Sequence, residues 1–538
     1  MNRSTENLSE NPAMPVVFRL AKSGFRIGSK CTLVAVTAAL LLAPRAALTA
    51  AQPQRPAKPN IVFILADDIG YGDFSCYGTK QVKTPNVDRL ASEGLRFTDA
   101  HATGSVCTPT RYAFITGQYA WRNPAGAGIL SGEAPLAIDV NKPCTASVLK
   151  RAGYTTGLVG KWHIGLGEGV INWNSDIQPG PCELGFDYAF YYPATGDRVP
   201  CVFVENHRVV NLDPSDPIRV SYEGKIGDEP TGKEHPELLT MKPSHGHDCT
   251  IINGISRIGF MSGGKAARWK DDEMANTLTK QAVGFIEKNQ AKPFFLYLAT
   301  HNIHVPRVPN ARFRGTSGCG TRGDFIQELD GCVGTVLATL ERLKLVDNTL
   351  VIVTSDNGGV MDDGYQDGAV ADAHGHLCNG TLRGYKSSLW EGGHREPFIV
   401  RWPGHVKPGA TSGELIGLVD MMATFAAVAG VEMPKDGGPD SFNVLPALLG
   451  GKSPREHLVV QSNGTVWQAV RVGDWKYIPR KPGRANAGGK YGTSPEVQLY
   501  NLADDLAEEH NLAEKLPAKV QEFQALLDKI RADGRSAP

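Results

Sequence analysis

Asn60-Ile61-Val62-Phe63-Ile64-Leu65-Ala66-Asp67-Asp68 is a short apolar run that stops on two acids. A run of this length with no polar alternation fits a strand buried on both faces, as in a parallel sheet. The same shape returns at residues 293–300, ahead of His301, and at residues 349–355, ahead of Asp356. Each predicted strand therefore leads into a side chain that can hold a cation or move a proton. Helical patterns lie between them, over residues 87–94, 145–152, 274–289 and 327–345. Buried strands alternating with helices predict an α/β fold with a large, mostly parallel central sheet flanked by helices. Ligands of such sheets collect beyond the carboxyl ends of the strands, which is where these acids and histidines fall.

Downstream of residue 457 the pattern changes to short strands at residues 458–462, 467–472 and 475–478, followed by an amphipathic stretch over residues 516–532. This predicts a smaller C-terminal antiparallel sheet plus a helix. Upstream, a Pro-rich linker covers residues 52–59. Ahead of it, Arg19, Lys22, Arg26 and Lys30 precede an apolar run at residues 33–43 and small residues ending at Ala51. That order reads as a secretory signal peptide over residues 1–51; its apolar run is well short of the roughly 20 residues that span a bilayer. The mature protein is expected to be secreted or periplasmic, with no membrane attachment after cleavage.

The chain has 538 residues, 41% of them apolar, and its 56 basic and 56 acidic residues balance. Bulk charge thus points to neither a nucleic-acid nor a membrane-surface partner, and an anionic ligand must be recognised locally. Of ten cysteines, Cys31 leaves with the signal and Cys107 is set aside for chemistry. Eight remain, enough for up to four disulfides in an oxidising compartment.

Paired acids such as Asp67 and Asp68 suit a hard cation such as calcium, or simply a solvated turn. Asp356-Asn357-Gly358 offers a second carboxylate and an amide oxygen, or an Asx turn. Cys107-Thr108-Pro109-Thr110-Arg111 has the form C-x-P-x-R, the core recognised by formylglycine-generating enzymes; standing alone it also fits a disulfide cysteine in a turn. Its company decides between these readings. Asp67-Asp68-Ile69-Gly70-Tyr71-Gly72-Asp73, the Cys107 block with Thr116-Gly117, and Gly160-Lys161-Trp162-His163-Ile164-Gly165 are followed by His304-Val305-Pro306, Ser355-Asp356-Asn357-Gly358, and Leu382-Arg383-Gly384-Tyr385-Lys386 leading to Glu391-Gly392-Gly393. In content and order these blocks resemble the type I, formylglycine-dependent, arylsulfatase-like sulfatases of the alkaline phosphatase superfamily, over roughly residues 58–538.

The resemblance implies a catalytic domain over residues 60–456, a C-terminal subdomain over residues 457–538, and hydrolysis of sulfate esters. It implies that Asp67, Asp68, Asp356 and Asn357 hold one calcium ion, with formylglycine derived from Cys107 against it. Arg111, Lys161 and Lys386 would place fixed positive charge around the aldehyde and the sulfate oxygens. A hydroxyl of the hydrated aldehyde would attack sulfur, His304 and Lys386 would protonate the leaving alcohol, and His163 would take the second hydroxyl's proton to expel sulfate. The implied partners are a sulfated small-molecule or saccharide substrate and a formylglycine-generating maturase.

Between His301 and His304, the resemblance favours His304, because the family's histidine precedes a residue and then proline; His301 is left as a group behind the site, a substrate contact, or merely a satisfied polar residue. Thr110 stands where most relatives carry serine, which bears on the efficiency of modification. The polar loop at residues 360–381, with His374, His376 and Cys378, is read as a rim of the substrate pocket or a His/Cys structural site. The insertion-like segments 198–208 and 245–268 are read as contacts for the leaving group. The substrate expectation is a sulfated polysaccharide-derived saccharide or an aryl sulfate. The rival is a phosphate or phosphonate ester hydrolase of the same superfamily, against which the C-x-P-x-R cysteine and the single-calcium ligand set weigh.

Overall fold

The computed structural model describes residues 58–465, 467–480, 492 and 494–538. The signal-peptide expectation and most of the linker lie outside these residues. Pro56–Pro538 forms one compact unit.

Seven strands dominate the main sheet: β1 (Asn60–Ala66), β2 (Leu95–His101), β3 (Thr155–Lys161), β4 (Tyr188–Tyr192), β5 (Phe294–Ala299), β6 (Thr349–Ser355) and β7 (Arg395–Arg401). Their order is β2-β7-β6-β1-β5-β3-β4 within an eleven-stranded sheet whose remaining strands are short edge pieces. β6, β1, β5, β3 and β4 run parallel; β7 alone runs against its two neighbours. The three strands foreseen as doubly buried are so: every residue of β1, β5 and β6 is buried. Side chains such as Ile61, Phe63, Val351 and Leu298 each contribute roughly 1.5–3 kcal/mol from that burial.

Helices cover both faces: α1 (Pro85–Ser92), α2 (Cys107–Thr116), α3 (Thr145–Arg151), α4 (Met274–Asn289) and α5 (Gly320–Arg342). α4 has the predicted bounds. α5 begins seven residues before the predicted 327–345 stretch, because glycines interrupt its apolar rhythm. Those glycines permit close approach: a Cβ at Gly331 would stand 2.8 Å from the Phe313 ring, and one at Gly334 would stand 2.5 Å from Asn86.

The C-terminal sheet is antiparallel, in the order His457–Gln461, Gln468–Val472, Trp475–Ile478, Gln498–Asn501, and packs against a helix over Pro517–Ala532. Phe523, Leu527 and Ile530 of that helix share a core with Leu458, Val470, Tyr477 and Leu499, and with Ala113 of α2. The subdomain thus backs the helix that begins at Cys107.

The disulfide expectation is corrected. All nine described cysteines are free, and Cys144, Cys201, Cys319, Cys332 and Cys378 are buried as small apolar side chains. They fill space where packing is tight, so the count of eight carries no framework. Among the described residues no helix is long and apolar enough to cross a membrane.

Register brings the strand ends to one level. Ala66 pairs with Ser355, Leu65 with Ala299, and Ala299 with Gly160. Gly160 has φ +112°, and a Cβ there would lie 1.8 Å from the Ala299 carbonyl oxygen. Gly160→Ala is accordingly expected to destabilise the fold by roughly 2–5 kcal/mol, readable as a fall in the denaturant midpoint at unchanged m-value; a midpoint within error of the parent would contradict the geometry.

Candidate active site

Four adjacent parallel strands deliver the polar residues. β1 ends at Asp67 and Asp68, β6 at Asp356 and Asn357, β3 at Lys161 and then His163, and β5 leads to His301 and His304. All of these are at most 4% exposed. Buried charges survive only when paired, and the pairing is dense. Lys161 Nζ donates to both oxygens of Asp67, at 2.8 and 2.7 Å. Arg111 Nε and Nη2 both donate to Asp356 Oδ2, at 2.9 and 2.7 Å. Lys386 Nζ donates to Asp68 Oδ2 at 2.9 Å and to Asp363 Oδ2 at 2.8 Å. Asn357 Nδ2 donates to Asp68 Oδ1 at 2.7 Å.

Cys107 is the first residue of α2, only 2% exposed. The turn before it is held from two sides. Thr110 Oγ1 donates to Gly104 O at 2.8 Å and accepts from Gly104 N at 3.2 Å, so the hydroxyl that threonine shares with serine is in use. On the other side, Ser105 N donates to Gln461 O and Gln461 N to Thr103 O, an exchange with the C-terminal sheet. Thr108 Oγ1 ties the helix to the His163 carbonyl at 3.0 Å. Asp68, His163 and Ser387 hold φ of 65°, 57° and 76°, conformations that non-glycine residues keep only where surroundings enforce them, commonly at functional sites.

Electrostatics follow from burial. It pushes the Asp67 carboxyl up to about 8 against the pull of Lys161, with Asp356 and Asp68 adding to the rise. Burial also raises the Cys107 thiol to about 11. Burial and the neighbouring lysine charges hold His163 and His304 well below the ordinary imidazole range. Against burial, which favours the neutral amine, Asp363 and Asp68 hold Lys386 well above the usual lysine range.

The tautomers can be assigned from partners. His163 Nε2 lies 2.9 Å from Leu130 O and so carries the proton, leaving Nδ1, which is buried and without a partner, as the basic nitrogen. His304 Nδ1 donates to Val305 O, and its Nε2 faces Asp68 Oδ2 at 3.9 Å and Asp363 Oδ2 at 3.7 Å. His301 is also buried, but neither ring nitrogen has a partner.

The residues fit a hard cation. Asp67, Asp68, Cys107 and His304 bring donor atoms within 4.8 Å of one another, and Asn357 Oδ1 is buried without a hydrogen bond. Oxygen-rich donors of this kind suit calcium. Asp356 meets the group through Asp68, whose backbone N–H donates to Asp356 Oδ1 at 3.2 Å, while its other oxygen faces Arg111.

Several residues at the site lie in, or one residue from, the segments read as a pocket rim or as leaving-group contacts, but carried no individual signal. Asp363 sits in the 360–381 loop, in a stretch without periodicity. His376 of that loop bonds Asp73 Oδ1 at 2.7 Å, beside the Asp73–Arg322 ion pair, and forms no ligand cluster with His374 and Cys378 among the described residues. Asp197, Arg198 and His247 form a second knot: His247 Nε2 lies 2.8 Å from Asp197 Oδ2, and Arg198 Nη1 lies 3.3 Å from Asp197 Oδ1. Asp197 lies within electrostatic reach of His304, and Arg198 within reach of Cys107.

Fold and site together define a hydrolase of anionic esters, with charge-stabilising groups gathered at the carboxyl edge of an α/β sheet. The chain belongs to the sulfatase family, whose model matches residues 59–431, and it is a sulfuric ester hydrolase. It is 49% identical to an N-acetylgalactosamine-6-O-sulfatase of Bacteroides thetaiotaomicron over 485 residues, 89% of this chain and 94% of that one. It is 34% identical to human arylsulfatase A, over 88% of this chain and 86% of the relative. A solved structure from work on glycosaminoglycan metabolism by Bacteroides thetaiotaomicron superposes with a TM-score of 0.86 at 49% identity, covering 88% of this chain and 99% of that one.

Proposed function

We propose that the protein removes the 6-O-sulfate of N-acetylgalactosamine-type residues in sulfated saccharides, using a formylglycine made from Cys107 by a maturase and one calcium ion. The reading rests chiefly on the position of Cys107 at the head of α2, buried among the acids that follow β1 and β6 and the ammonium groups of Lys161 and Lys386. When present, the ion and the hydrated aldehyde supply a Lewis acid and a nucleophilic hydroxyl.

The chain's own groups do the rest. Asp67, Asp68, Asp356 and Asn357 hold the cation, while Arg111 keeps Asp356 oriented. Lys161 and Lys386 present positive charge to the sulfate oxygens, fixed in place before the reaction begins. Lys386, kept cationic by Asp68 and Asp363, is the proton source for the leaving alcohol, with His304 Nε2 beside it. His163 Nδ1 is the base. Asp197, Arg198 and His247 offer hydrogen bonds to sugar hydroxyls. The sugar identity leans on the relative that shares 49% of its residues and is an N-acetylgalactosamine-6-O-sulfatase. Export to the periplasm or outside the cell belongs to the same reading.

The test uses protein from a host with a formylglycine maturase. The Cys107 peptide is expected to carry the mass of an aldehyde in place of a thiol, and 6-O-sulfo-N-acetylgalactosamine is expected to lose sulfate. Chelation is expected to abolish turnover and to lower thermal stability, with calcium restoring about 2.7 kcal/mol at a hundredfold excess over its Kd. A thiol that persists despite active maturase, or a thermal midpoint indifferent to chelator and calcium, would sink the corresponding half of the proposal.

A further inference from the structure

Arg307 is only 1% exposed and lies outside the groups assigned to the cation, the sulfate and the proton steps. A guanidinium survives burial only when its N–H groups are satisfied and its charge is paired. Those of Arg307 divide between two segments. Nε donates at 3.0 Å to the carbonyl of Ile303, the residue before His304. Nη1 donates to Met361 O at 2.9 Å and to Asp367 Oδ2 at 2.7 Å, and Nη2 donates to Val360 O at 3.1 Å. The other oxygen of Asp367 is also engaged, accepting from Ala369 N at 3.0 Å.

The second segment is the loop that carries Asp363. Residues 360–367 lie outside the main sheet, so strand register does not set their distance from the segment that follows β5. Arg307 sets it, gripping the loop at Val360 and Met361 on one side of Asp363 and at Asp367 on the other. Across this joint His304 Nε2 stands 3.7 Å from Asp363 Oδ2, and the same oxygen accepts from Lys386 Nζ at 2.8 Å. One guanidinium therefore ties the peptide ahead of the histidine to the loop whose acid holds the lysine. Proton transfer is sensitive to such spacing, since a misplacement of about 1 Å can cost on the order of 10²-fold in rate.

We propose that Arg307 is a positioning residue for protonation of the leaving alcohol, holding His304 and the Asp363–Lys386 pair at the spacing from which they act together. The inference rests on the proton-donating roles given above to His304 and Lys386, and not on the identity of the sugar. A leaving group that departs readily as an anion needs little help from a general acid, whereas a basic one draws about 10²–10⁴-fold from it. The test compares kcat/KM across aryl sulfates of rising phenol basicity, from nitrophenyl to phenyl to alkyl-substituted phenyl, in calcium-loaded enzyme with modified Cys107. Arg307→Lys keeps a cation beside Asp367 but not the planar fork. It is expected to lower kcat/KM for phenyl sulfate at least about tenfold more than for nitrophenyl sulfate, so that the dependence on leaving-group basicity steepens. Asp367→Asn, which weakens one grip on the loop, is expected to act in the same direction to a smaller extent. Loss of folded enzyme lowers every ester by one factor and leaves that slope alone, so a uniform loss, or no loss, overturns the positioning role. Lys386→Ala, measured alongside, separates the two readings. A slope that steepens there but not in Arg307→Lys overturns the inference alone, and a slope unchanged in both removes the proton-source role and the inference with it.

Discussion

Cys107→Ala is expected to lower kcat/KM for sulfate esters by at least about 10⁴-fold, the scale on which loss of a nucleophile acts in covalent catalysis. The fold should persist. Cys107 contributes one small buried side chain at the start of α2, and removing one such heavy atom costs on the order of 1 kcal/mol. The turn before it is fixed by Thr110, Ser105 and Gln461 rather than by the thiol. The measurement is a paired one, sulfate release and phosphate-ester hydrolysis in parent and variant. If both activities vanish together, one nucleophile serves both. If phosphate esters are cleaved equally well without Cys107, the assignment of the nucleophile is wrong, and the phosphate or phosphonate ester hydrolase reading takes its place.

Arg471→Ala is expected to cost about 3–5 kcal/mol of stability, because it leaves a buried cluster of carboxylates one cation short. Arg471, on the second strand of the C-terminal sheet, donates to Glu391 Oε2 at 3.0 Å and to both oxygens of Asp99, at 3.3 and 3.2 Å. Lys476 joins the same group, 3.0 Å from Glu391 Oε1 and 2.9 Å from Glu508 Oε1, and Arg395 bonds Glu391 Oε2 at 2.9 Å. Three acids and three cations thus balance in the contact between the catalytic sheet and the C-terminal sheet. His101 and His394 also lie here, their Nδ1 atoms 3.0 Å apart. Burial holds both imidazoles below their ordinary range, so neither adds charge near neutral pH. Arg471→Lys, which keeps the charge but not the fork, should recover part of the loss. Denaturant unfolding reads both variants, and a cost below about 1 kcal/mol for the alanine variant would show that solvent enters this network. The same cluster gives Glu391-Gly392-Gly393 a physical role: its acid anchors the subdomain, and a Cβ at Gly392 would stand 2.4 Å from the Gly384 carbonyl oxygen.

The sequence was legible wherever a local pattern had one physical cause. β1, β5 and β6 are continuous apolar runs because both their faces are covered, and α4 keeps a clean helical rhythm from Met274 to Asn289. β7 was hidden. It carries Arg395, Glu396, Pro397 and Arg401 in a fully buried strand, a composition that reads as surface until the partners of Arg395 and Arg401, namely Asp99, Glu391 and Glu93, are known. The fourth strand of the C-terminal sheet, Gln498–Asn501, is short and half polar, so its period is too brief to read.

The sequence by itself determined the alternation of strands and helices, the placement of acids at strand ends, and the C-x-P-x-R block, since each is encoded by neighbouring residues and needs no distant partner. Only the tertiary structure decided that Lys386 spans Asp68 and Asp363, that Asp197 and His247 face one another across a long insertion, and that Arg471 and Lys476 neutralise Glu391. These contacts join residues 23 to 318 positions apart. Side-chain periodicity states which face of an element is buried. It is the crossover connections and strand register that determine what that face meets.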